Sequence, residues 1–150
     1  MTKVKKINHV AIVVEDIDSA LHFWRDQLGL SLDHIEDVPS QASKVAFLTV
    51  GDSEVELVEP TDPESGLAKY LAKRSEGMHH LCVEVDNIEV MLQQLKQKGV
   101  RLINQDPLDL PGRRMAFIHP KSTNGVLLEL YELIPDKKNY LTKKGNNDEK

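Results

Sequence analysis

Two histidines and two glutamates recur at matched places in this chain, and together they make a donor set for a metal ion. Residues 7–30 read INHVAIVVEDIDSALHFWRDQLGL, and residues 78–100 read MHHLCVEVDNIEVMLQQLKQKGV. Placing His9 on His80, an offset of 71 residues (80 − 9), also places Val14 on Val85, Asp16 on Asn87, Ile17 on Ile88 and Leu21 on Leu92. Gly29 and Gly99 then fall one residue out of step, as a one-residue gap in a helix would produce. Further on, KVAFL at 44–48 matches RMAFI at 114–118, and Glu56-Leu57-Val58-Glu59 matches Glu129-Leu130-Tyr131-Glu132. A lone His in a strand is usually a satisfied core residue, and a lone Glu there is usually at an edge; matched pairs of both reverse that reading. Two imidazoles and two carboxylates suit a divalent ion such as Co²⁺, Mn²⁺, Ni²⁺, Zn²⁺ or Fe²⁺. On an octahedral ion, four protein ligands leave two positions, which is what a bidentate oxygen substrate requires.

The surrounding pattern says how these residues are carried. Ile7 to Val14 is rich in Val and Ile and reads as a strand. Asp16 or Asp18 can cap a following helix, whose apolar stripe is Ala20, Leu21, Phe23, Trp24 and Leu28, and Gly29 stops it. Strands are predicted at about 31–36, 44–50 and 53–59, with a turn at Gly51-Asp52. The second half repeats this: a strand from Met78 to Val85 and a helix capped by Asn87, with Ile88, Met91, Leu92 and Leu95 inward and Gly99 ending it. Strands are then expected at about 100–104, 113–119 and 126–132, with turns at Pro111-Gly112 and Asn124-Gly125. Between the halves, residues 61–77 form a linker in which GLAKYLAKR makes a short amphipathic helix. The expected fold is α+β: two tandem βαβββ modules, about 5–60 and 78–134, forming one domain over 5–134 with a curved, cup-like mixed sheet and helices outside. The polar segment 135–150 is expected to be a disordered tail. Because side chains alternate along a strand, Leu128 and Leu130 would face the helices and Glu129 the other side.

Bulk properties narrow the functional classes. With 40% hydrophobic and 29% charged residues, the 150-residue chain is of globular type, and a net charge of −5 argues against nucleic acid as a partner. The single cysteine, Cys82, excludes an internal disulfide and reads as a core thiol. The apolar run Val10 to Val14 is too short for a signal peptide or membrane span, so the expected location is the cytoplasm. Among the other histidines, His79 should point away from His80 to the opposite face. His22 should lie on the exposed side of its helix, His34 has no repeat partner, and His119 should sit at the rim of the HPKSTNG loop.

INHVAIVVEDIDSALHFW, VELVEP, GMHHLCVEVDNI and HPKSTNGVLLEL resemble the methylmalonyl-CoA epimerases, within the vicinal-oxygen-chelate superfamily that also includes glyoxalase I and extradiol dioxygenases. The resemblance covers about residues 5–134. It implies a metal held by His9, Glu56, His80 and Glu129, with Co²⁺ placed first and Mn²⁺, Ni²⁺ or Zn²⁺ as alternatives. It implies an acyl-CoA substrate, a homodimer, and epimerisation by removal of the C2 proton through a metal-stabilised enediolate, with Glu129 as catalytic base. Some members carry a second base, a glutamate, in the middle strand; the corresponding position here is Val45, with Gln41 and Ser43 nearby. By position, Arg113, Arg114 and Lys121 are candidates for the coenzyme A phosphates. A glyoxalase I-type lyase or isomerase is the rival activity, and a metal-free binding protein the rival outside catalysis.

Overall fold

The fold was taken from a computed structural model that describes residues 2–135; the 135–150 segment lies almost wholly outside them. The elements run β1 (Val4–Val13), α1 (Ile17–Leu21), β2 (Ser31–Val38), β3 (Ser43–Val50), β4 (Ser53–Pro60), α2 (Gly66–Arg74), β5 (Gly77–Val85), α3 (Ile88–Gln97), β6 (Leu108–Leu110), β7 (Arg113–Ile118) and β8 (Leu128–Leu133). The strands form one eight-stranded mixed sheet in the order β2-β3-β4-β1-β5-β8-β7-β6. Each half contributes four adjacent strands, and the halves join along an antiparallel β1–β5 seam. In each half the first strand runs parallel to the last, β1 to β4 and β5 to β8, so the duplicated sequence gives a duplicated topology.

Alternation assigns the two faces. Ala46 and Leu48 of β3 and Leu57 of β4 pack under Ile17 and Leu21 of α1. Ala116 and Ile118 of β7 and Leu130 of β8 pack under Ile88 and Leu92 of α3. The intervening residues Val45, Phe47 and Val58, with Met115 and Tyr131, form the inner face. Leu57 and Leu130 are almost wholly buried, each contributing on the order of 2 kcal/mol from removal of its side chain from water.

Helix starts are built twice in the same way. Asp16 accepts the Ser19 amide and Asn87 the Val90 amide, as the capping pattern predicts. In addition, the Glu59 carboxylate accepts the Ile17 amide at 3.0 Å and the Glu132 carboxylate the Ile88 amide at 3.2 Å. The matched Glu-x-x-Glu segments therefore use their two carboxylates differently. Positions three apart lie on opposite faces of a strand, so Glu59 and Glu132 serve the helices while Glu56 and Glu129 turn inward.

Two expectations are corrected. Helix α1 continues as a π-helical turn over His22–Gln27, with the Leu28 amide donating to the Phe23 carbonyl at 2.8 Å. This wider turn absorbs the extra residue that put Gly29 out of step with Gly99, and it rotates Phe23 and Leu28 to about half exposure rather than into the core. Both glycines keep their predicted role, with φ of 88° and 79° in the left-handed region. The strand expected at 100–104 reduces to one bridge, Leu102 to Ile118, and the edge strand is instead the short β6. The Asn104 side chain accepts the Phe117 amide at 2.8 Å and replaces a ladder bond, while Pro107 offers no amide hydrogen for a continuous strand.

Candidate metal centre

The seam between the halves brings all four predicted donors together. In the β1–β5 ladder His9 lies opposite Cys82 and Ala11 opposite His80. Glu56 stands beside Ala11 on β4, and Glu129 beside Cys82 on β8. His9 Nε2 is 3.1 Å from His80 Nε2, 2.5 Å from Glu56 Oε2 and 3.2 Å from Glu129 Oε1. His80 Nε2 is 3.6 Å from the same Glu129 oxygen. His9, Glu56 and Glu129 are buried, and one ligand atom each from His9, Glu56 and His80 fall within 4.8 Å of one another.

The electrostatics are those of a strongly coupled cluster. Burial opposes charge on His9, but the Glu129 and Glu56 carboxylates close beside its ring outweigh it and raise its pKa to about 9. Burial likewise pulls the Glu129 carboxyl upward, and the His80 and His9 imidazoles overcome it and hold the group down at about 2. Cys82 also lies close to His9 and Glu129. Burial first, then the negative charge of Glu129, pushes its thiol well above the ordinary range, so it stays a protonated core thiol, as expected.

This donor set fits a divalent cation. Glu129 Oε1 is buried and meets no donor in hydrogen-bonding geometry, although two imidazole nitrogens stand close by. A buried anionic oxygen left without a partner costs on the order of 1–3 kcal/mol or more, and a cation among the four groups would satisfy it. Two nitrogen and two oxygen donors suit first-row divalent ions.

The quartet opens into a cavity of about 430 Å³ on the inner face of the sheet. Its wall carries Glu56, His80 and Glu129, the apolar Val45, Phe47 and Phe117, and Arg113. Phe47 pairs with Glu56 across β3–β4 and Phe117 with Glu129 across β7–β8, so each carboxylate has a phenyl ring beside it. The Val45 position is an apolar piece of wall, with Gln41 and Ser43 also on it. Of the basic residues singled out, Arg113 alone reaches the cavity. Arg114 pairs outward with Glu89 and Asp109, and Lys121 lies in an exposed turn. Arg113 Nη1 donates to the Glu36 carboxylate at 3.3 Å and to the Pro111 carbonyl at 3.1 Å, while its Nε is buried without a partner.

The expectation for His79 is overturned. It lines the cavity beside His80, and the two Nδ1 atoms are 2.8 Å apart. The cause is a β-bulge: Ala11 pairs with His80 and Ile12 with Met78, so His79 is an extra residue and the alternation breaks there. Burial, and then the neighbouring His80, lower its pKa to about 4. Sequence periodicity carries no sign of a bulge; the adjacent His-His pair was the signal available. The remaining histidines lie off the quartet. His22 is exposed as predicted, His34 stacks on Phe47 at 4.3 Å, and His119 caps the turn at Lys121.

Comparison with known proteins gives a consistent result. The family model described as glyoxalase/bleomycin resistance protein/dioxygenase superfamily matches residues 8–117. The mitochondrial methylmalonyl-CoA epimerase of Mus musculus is 36% identical over 85% of this chain and 73% of its own length. The ethylmalonyl-CoA/methylmalonyl-CoA epimerase of Cereibacter sphaeroides is 33% identical over 87% of this chain and 99% of its own. The crystal structure of methylmalonyl-CoA epimerase from Mycobacterium tuberculosis superposes with a TM-score of 0.83 at 36% identity, covering 88% of this chain and 90% of that one.

Proposed function

The chain belongs to the methylmalonyl-CoA epimerase family of the glyoxalase/bleomycin resistance protein/dioxygenase superfamily, and on that premise we propose that it interconverts the (2R) and (2S) forms of methylmalonyl-CoA. The observation that carries the reading is the convergence of His9, Glu56, His80 and Glu129, with an orphaned carboxylate oxygen, at the floor of a cavity that also holds a guanidinium.

His9, Glu56, His80 and Glu129 would hold the divalent cation, with Co²⁺ the first choice. Such an ion supplies Lewis-acid stabilisation of negative charge on substrate oxygens. Glu129 is the base. Its carboxylate lies at the quartet on the cavity wall, where it would take up the C2 proton. Phe47 and Phe117, on the cavity wall beside the two carboxylates, would keep bulk water from C2. Arg113 is the lone Lys or Arg on the cavity wall among the described residues, and its guanidinium suits the anionic carboxylate of the substrate. The Glu36 carboxylate holds the guanidinium from the other side.

Among the described residues no helix is long and apolar enough to cross a membrane. The proposal includes a homodimer, as the resemblance implies, and a cytoplasmic location. The test is exchange of the C2 proton for deuterium, followed by NMR, with methylmalonyl-CoA, ethylmalonyl-CoA and the hemithioacetal of methylglyoxal and glutathione in parallel. Exchange confined to the malonyl thioesters supports the epimerase. Turnover of the hemithioacetal alone replaces it with a glyoxalase I-type activity.

A further inference from the structure

Of the three register irregularities along the β1–β5 seam, the two nearest the centre are bulges related by the same repeat as the histidines. Ile7 pairs with Val83 and His9 with Cys82, which leaves Asn8 as the extra residue on β1, just as His79 is extra on β5. Asn8 and His79 are 71 residues apart, the same offset as His9 and His80. At each bulge the extra residue keeps its side chain beside the imidazole that follows it and meets the ring nitrogen facing away from the centre. Asn8 Oδ1 is 2.7 Å from His9 Nδ1, and His79 Nδ1 is 2.8 Å from His80 Nδ1. Both Nε2 atoms are thereby turned inward, 3.1 Å from each other. The two partners differ chemically, an amide and an imidazole, but each offers a lone pair to an Nδ1–H.

We infer that Asn8 and His79 are positioning residues: they hold His9 and His80 in the ring orientation and tautomer that present an Nε2 lone pair to a shared divalent cation. The inference rests on reading the quartet as a metal centre. A neutral imidazole has one N–H, so an acceptor at Nδ1 fixes the proton there and leaves Nε2 free to ligate. An amide oxygen can only accept, which settles the direction at Asn8. At His79 the same direction requires its own proton on Nε2 and a fixed ring, and Tyr70 of the linker helix α2 supplies an edge-to-face contact at 4.7 Å. The connection between the modules thus braces one histidine of the centre through His79. Without the bulges, strand alternation would turn residues 8 and 79 to the opposite face, and neither could reach its neighbour's ring. A groove or a fold requirement alone does not call for an acceptor at both equivalent positions.

The test is calorimetric titration of metal-free protein with Co²⁺, with the visible spectrum of the bound cobalt recorded alongside. Asn8→Ala and His79→Leu should each weaken Co²⁺ binding by about 10- to 100-fold, the usual effect of removing such a partner. His79→Asn, which imports the acceptor of the other half, should restore binding to within about threefold of the parent, where a role for His79 in packing alone would leave it weak. Asn8→Asp, which also keeps the acceptor, should bind Co²⁺ to within about threefold of the parent, where Asn8→Leu should bind it as weakly as Asn8→Ala. Circular dichroism of the metal-free variants checks folding, and the two acceptor-retaining variants decide the matter if the others do not fold. Parent protein that binds Co²⁺ while Asn8→Ala and His79→Leu bind it equally well overturns the inference and leaves the metal centre standing. Parent protein that does not bind Co²⁺ overturns both.

Discussion

Metal binding at this centre should be strongly pH-dependent, because the ion and a proton compete for His9. Between Glu56 and Glu129, His9 has its pKa raised to about 9 in the metal-free protein, so near pH 7 it carries a proton on almost every molecule. A cation can use His9 Nε2 only after that proton leaves. Below about pH 9, each pH unit therefore costs tenfold in apparent affinity, about 1.4 kcal/mol. Between pH 6.5 and 8.0 the Co²⁺ affinity should rise about 30-fold, and about one proton should be released per ion bound. Glu129, held at about 2, adds nothing to this release because it is already ionised throughout. The sign for folding is the reverse. A raised histidine pKa stabilises the metal-free fold fully below the unfolded value of about 6.5, and this contribution is lost as pH rises through about 9. Calorimetry in buffers of different ionisation enthalpy at pH 6.5, 7.25 and 8.0 measures both affinity and proton release. A flat affinity over that range, with no proton released, would refute the account of His9 as a protonated residue that the ion must displace.

Three further outcomes follow from the same geometry. Glu129→Gln should reduce C2 deuterium exchange by about 10²- to 10⁴-fold while circular dichroism stays unchanged; near-parent exchange would remove Glu129 as the base. Arg113→Met should lower kcat/KM for methylmalonyl-CoA by about 10- to 100-fold, mainly through KM, as expected on losing a charge-assisted hydrogen bond to the substrate carboxylate; an unchanged KM would leave Arg113 to its Glu36 pair alone. Glu59→Ala and Glu132→Ala should each lower stability by about 1 kcal/mol in urea denaturation and should add in the double variant, because they cap separate helices; no effect from either would mean that Asp16 and Asn87 carry the caps unaided.

Periodicity and internal repetition suffice for whatever depends on which face a residue occupies. The repeat located His9, Glu56, His80 and Glu129. Alternation then sent Leu128 and Leu130 to the helices and Glu129 inward, and Asp16, Asn87, Gly29 and Gly99 marked the helix ends by local backbone chemistry alone. The helix of GLAKYLAKR, Gly66–Arg74, was legible from its composition and stripe. Where chain neighbours stop following the period, the sequence is silent. The bulges at Asn8 and His79 exist because two strands pair out of step across the seam, and pairing register is a property of both strands together. The same is true of Arg113, which Glu36, 77 residues away, holds against the cavity, while adjacent Arg114 turns to Glu89 and Asp109. It is true also of the edge strand, where the Asn104 side chain takes a ladder bond from β7 and moves regular pairing to Leu108–Leu110. Strand and helix periods are local and can be read along the chain; register, bulges and long-range ion pairs are set by contacts between distant segments, and only the folded sheet decides them.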